Sequence, residues 1–132
     1  MKLLTKEIKK KLIANRKATQ KLEDEGADLT YAYNVSHKPV VKFFGGSSCT
    51  WLITEMYDDE LKILPKSAPI ILFGLCDLGL GYPELGYVNL RELESLKFPP
   101  FGLGVERDLY FTASKTLAEY HNEAIEAHRI IA

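Results

Sequence analysis

The apolar positions of this chain follow two rhythms. Leu4, Ile8, Leu12 and Ile13 recur at helical spacing among lysines. That pattern predicts an amphipathic helix from about Lys6 to Lys21. Thr5 is placed to cap it, Glu7 suits the positive end of its dipole, and Gly26 ends the unit. Residues 26–38 show no periodicity and read as a loop. Val40–Phe44 and Thr50–Tyr57 are rich in strand formers and flank Gly45-Gly46-Ser47-Ser48. They predict a β-hairpin closed by a short glycine-containing turn. The acidic cluster Asp58-Asp59-Glu60 then leads to solvent, and residues 61–68, with Pro65, read as irregular or as a weak edge strand.

The run PIILFGLCD at 69–77 is continuously apolar and carries β-branched residues. It predicts a central strand covered on both faces. A short strand follows near Leu85–Val88. Asn89, with Glu92 three residues on, opens a short helix LRELESL, which Pro99-Pro100 stops. Val105–Thr112 reads as another strand and 114–131 as a C-terminal helix. On that helix Leu117, Tyr120, His121, Ala124, His128 and Ile131 fall close to one stripe. The element order predicts a single α+β domain over 1–132. Its mainly antiparallel sheet of about five strands packs with N-terminal, middle and C-terminal helices.

Several stretches occur in a telling order: MKLLTKE, TWLITE, FGL, PELGYVNLRELESL and ERDLYF. Over residues 1–112 the chain resembles a bacterial family of small proteins classed only as a domain of unknown function. That family is met on conjugative plasmids, integrative elements and phages. The resemblance implies a mobile-element setting and no particular activity.

Composition narrows the classes. The chain has 132 residues, 46% apolar and 27% charged, an ordinary globular balance. Its only cysteines, Cys49 and Cys76, read as reduced thiols of a cytoplasmic protein. Lysines interrupt the N-terminus too early for a signal peptide, and the longest apolar run, Ile70–Cys76, is too short to span a bilayer. A net charge of −1 gives no global case for nucleic acid. Residues 1–21, however, hold eight Lys or Arg against one Glu. Lys9, Lys10, Arg16 and Lys17 are the candidates for contact with phosphates, with a solvated helix face as the plainer reading.

Chemistry-bearing motifs are few. Gly45–Ser48 lacks the Gly-Lys-Ser/Thr of a P-loop and lies between strands. Neither cysteine sits in a protease signature, and His121 and His128 lie seven apart rather than at zinc-binding spacing. The sequence therefore points to no catalytic residue, metal site or cofactor. Charges inside strands are the informative feature. Strand alternation puts Trp51, Ile53, Glu55 and Tyr57 on one face, and Val105, Arg107, Leu109 and Phe111 on another. A buried charge needs a partner, so an Arg107–Glu55 ion pair is predicted, with Glu84 as the rival partner. Such a pair fixes strand register, or Arg107 grips a phosphate or carboxylate with Glu55 and Glu84 in a ligand-facing pocket. Phe98-Pro99-Pro100-Phe101 either docks a partner or folds back on the core. The leading expectation is a non-catalytic binding protein, an accessory of a mobile element that counters host defence through protein or nucleic-acid contacts. The alternative is a small enzyme or ligand-binding protein for a phosphorylated or nucleic-acid substrate. A homodimer through the C-terminal helix is a third.

Overall fold

A computed structural model describes residues 2–26, 35–57, 65 and 68–132. The expected acidic exit at 58–60, most of the 61–68 segment and residues 27–34 of the first loop lie outside the described residues.

Helix α1 spans Lys6–Asp24, with the Thr5 hydroxyl accepting from Ile8 N–H at its start. Strands β1 (Val41–Gly45) and β2 (Cys49–Tyr57) form the expected hairpin. Strand β3 (Ile71–Asp77) pairs with β2 and with β4 (Glu84–Asn89), which runs directly into helix α2 (Leu90–Ser95). A two-residue β5 (Glu106–Arg107) and helix α3 (Leu117–Ala127) complete the order. The sheet is antiparallel throughout, in the order β4-β3-β2-β1-β5. This is the α+β architecture expected of the pattern.

Two apolar layers cover the sheet. Trp51, Ile53, Met56 and Leu72 pack with Phe43, with Leu12 and Ile13 of α1, and with Leu90 and Leu93 of α2. On the other side Leu52, Phe73 and Leu75 pack with Leu117, Tyr120 and Ala124 of α3. Leu117, Tyr120 and Ala124 of the predicted α3 stripe are thus buried inside the chain, whereas His128 and Ile131 stay exposed. Among the described residues no helix is long and apolar enough to cross a membrane.

Three expectations change. The C-terminal helix starts later than 114, because a reciprocal Thr116–Glu119 capping box sets its first turn. It ends early, at His128 in the left-handed region. The expected Val105–Thr112 strand shrinks to two residues. After Asp108 N–H reaches Lys42 O, the Asp108 side chain and carbonyl accept from Tyr110 and Phe111 N–H and turn the chain off the sheet. Finally, strand alternation breaks inside β2. Ile53 lies opposite Gly74 but Glu55 opposite Phe73, so Thr54 is an extra residue. The bulge puts Met56 with Trp51 and Ile53, and moves Glu55 and Tyr57 to the other face.

Candidate functional site

The bulge also explains where Glu55 goes. Strand β1 begins at Val41, opposite Ile53, so among the described residues no strand pairs with the last residues of β2 on that side. Helix α1 occupies the place. Asn15 Nδ2 donates to Thr54 O at 2.9 Å, and the Thr19 hydroxyl donates to Glu55 Oε2 at 2.6 Å. Glu55 and Thr19 are both fully buried. His37 Nε2 lies 3.1 Å from Thr19 Oγ1 and 3.5 Å from Glu55 Oε2. Since the hydroxyl proton goes to the carboxylate, the imidazole is assigned as the donor to Thr19 Oγ1. The His37 carbonyl accepts from Leu117 N–H. One polar cluster therefore ties α1, β2 and the start of α3 together.

Arg16 completes it. Its guanidinium holds Glu23 through two contacts of 3.1 Å, lies 4.2 Å from the centre of the Tyr57 ring, and sits 3.8 Å from Glu55 Oε1. Glu55 Oε1 accepts no hydrogen bond from a described residue. Burial accordingly raises the Glu55 carboxyl above its ordinary range, against the opposing pull of Thr19 and Arg16. Burial lowers His37, which favours neutral imidazole. A hydroxyl beside an imidazole resembles an activated nucleophile. Here the hydroxyl donates to a carboxylate and has no exposed surface, so the cluster holds structure rather than attacking substrate.

The other predicted site residues do not converge on it. Arg107 lies two strands away, with β1 between β5 and β2. Its guanidinium donates to the carbonyls of Lys2 and Leu3 at 2.8 and 3.2 Å, clipping the N-terminal segment to the sheet edge. The expected Arg107–Glu55 pair is replaced by Arg16–Glu55. Glu84, the rival partner, stands at the exposed start of β4. It lines an open cleft of about 540 Å³ with His121 and Asn122, over Val35, Leu85 and Ala118. Lys9, Lys10 and Lys17 are exposed on α1, whereas Arg16 points inward. Burial raises both thiols, Cys76 to about 11, so neither is a ready thiolate.

One surface was not assembled from the sequence. The β1–β2 turn, the 78–82 loop and the 98–104 loop meet at one end of the sheet. Cys49 Sγ–H reaches Leu78 O at 3.5 Å. The Phe98 ring lies against Gly45 and Gly46, where a Cβ on Gly45 would meet it at 2.5 Å. Phe98 thus folds back while Phe101 stays out, which divides the two expectations for that loop between its residues. Leu78, Leu80, Tyr82, Phe101 and Leu103 are each more than half exposed. A groove of about 260 Å³ opens between the turn and the 98–104 loop. Each loop reads as a turn in the sequence; the absence of charge in all three was the available signal.

No match was found among curated proteins or among solved structures. A family model described as a protein of unknown function (DUF2958) matches residues 3–131, running through α3 and past the 1–112 stretch that carries the motifs. The chain belongs to that family.

Proposed function

We propose that this protein is a non-catalytic binding protein that engages a protein partner through the three loops at the hairpin end of its sheet. The observation that supports this reading is charge. Residues 45–48, 78–82 and 98–104 make sixteen positions, none of them charged. At the chain average of 27% about four would be. An exposed apolar patch of this kind suits an apolar protein surface, with Phe101 and Tyr82 as the aromatic anchors. Nucleic acid would demand cations there. Glu84 and Glu106 flank the loops against one flanking cation, Lys97, a balance that disfavours an anionic lipid surface. In the mobile-element setting implied by the resemblance, the protein acts in the cytoplasm as an accessory factor, and its partner is a host-defence protein.

The test is capture from host-cell lysate on the immobilised chain, followed by mass spectrometry. A variant with Leu80→Glu and Phe101→Glu is compared with Ile125→Glu on the exposed side of α3. All three proteins should melt alike. A protein held by the native chain and by Ile125→Glu, but lost with the loop variant, is expected. The same proteins retained by the loop variant would overturn the proposal.

A further inference from the structure

A second surface has the opposite character. The N-terminal segment, the start of α1 and the start of α2 enclose a cavity of about 400 Å³. Its floor is apolar: Leu3, Leu4 and Leu90 are 2%, 6% and 5% exposed, with Ile70 beside them. Its rim is cationic. Lys2, Lys6, Lys9 and Arg91 all line it, against the single carboxylate of Glu94 among the described residues. No carboxylate of a described residue forms an ion pair with any of these four cations.

The segments that carry these cations are fixed in place. The buried Leu3 and Leu4 anchor the N-terminal segment, and Arg107 grips the Lys2 and Leu3 carbonyls. On the opposite wall, Leu90 N–H donates to Ile70 O, and Ile70 N–H donates to Asn89 Oδ1. Arg91 Nε donates to Ala68 O at 3.4 Å, which orients the guanidinium and leaves its outer nitrogens free of described acceptors. Four cations and one carboxylate concentrate positive charge in a chain whose net charge is −1. Like charges brought together without counter-charges repel one another, so an anion that neutralises them is favoured.

We infer that this cavity binds the phosphate of a phosphate ester of about mononucleotide size. The rim takes the phosphate oxygens, Arg91 through its planar fork and the lysines as point charges. The apolar floor takes the organic part. The ester is a free mononucleotide or the terminal phosphate of a nucleic-acid strand; the chemistry at the rim is the same. This site is separate from the loop surface, and only Lys9 belongs to both it and the set of phosphate-contact candidates read from the sequence.

Isothermal titration at low salt tests it, with AMP and with a short single-stranded DNA oligonucleotide, 5′-phosphorylated or not. AMP binding is expected to weaken about tenfold in Arg91→Ala and in Lys6→Ala, since a charge-assisted hydrogen bond is worth about that factor. Lys21→Ala, in the last turn of α1, should leave it unchanged. Binding that requires the oligonucleotide's 5′-phosphate, with AMP silent, supports the site and assigns the source to nucleic acid. Equal loss in Lys21→Ala, or equal binding with and without the terminal phosphate, would overturn it. Absence of heat for every probe would do the same. Unchanged melting midpoints show that the variants are folded.

Discussion

Gly74 gives the sharpest test of how the sheet is built. It lies in β3 opposite Ile53, one step before the bulge at Thr54. A Cβ there would stand 1.9 Å from Leu52 O and 2.9 Å from Ile53 Cα. A carbon and an oxygen need roughly 3.3 Å, so Gly74→Ala must push β2 and β3 apart by about 1.4 Å, when their normal spacing is only about 4.8 Å. The obstacle is backbone in the middle of the sheet and cannot rotate away. Overpacking of this kind costs about 3 kcal/mol, and the lower chain entropy of alanine returns about 0.5–1 kcal/mol. The net loss is about 2–2.5 kcal/mol, or roughly 10 °C in a domain of this size. Gly86 is the control. It faces Gly74 across the β3–β4 ladder, yet a Cβ there meets no atom of a described residue within 4 Å. Gly86→Ala should melt at or slightly above the native temperature. Thermal unfolding followed by circular dichroism reads both. A Gly74→Ala midpoint within about 2 °C of native would refute the reasoning.

Three further outcomes are expected. Because burial raises the Glu55 carboxyl, the folded chain holds that proton more tightly than the unfolded chain. Its favourable contribution is complete below the ordinary carboxyl value and fades as pH rises through the raised one. Glu55→Gln should therefore gain on the native protein from pH 4 to pH 7 in melting experiments, and a difference that shrinks over that range would contradict it. Arg107→Met removes the grip on the Lys2 and Leu3 carbonyls and should cost about 1–2 kcal/mol; an unchanged urea midpoint would show that the clip contributes nothing. His128 caps α3 at φ 60°. His128→Gly relieves about 1 kcal/mol of backbone strain against a smaller entropy loss, and should raise the midpoint by about 2 °C.

Much of this was legible in the residues. The hairpin around Gly45–Ser48, the cap at Thr5 and the covered strand at 71–77 all follow from local chemistry. The Thr116–Glu119 box is local chemistry too, although the apolar stripe alone placed the start of that helix at 114. The bulge at Thr54 was not. The run WLITEM is buried on both faces, so no change of polarity betrays the extra residue. Arg16 looked like one more cation on a lysine-rich helix; only the place of α1 along the free edge of β2 turns it to Glu55.

Periodicity and turn chemistry, which act over a few residues, determined the elements and their order. Strand order, which depends on contacts between distant segments, decided the partners. It set β1 between Arg107 and Glu55 and gave Glu55 to Arg16, Thr19 and His37. It likewise brought three uncharged loops to one end of the sheet, and gathered Lys2, Lys6, Lys9 and Arg91 around one cavity. Side chains far apart in sequence meet only through the packing of the elements that carry them, and local pattern holds no record of that packing.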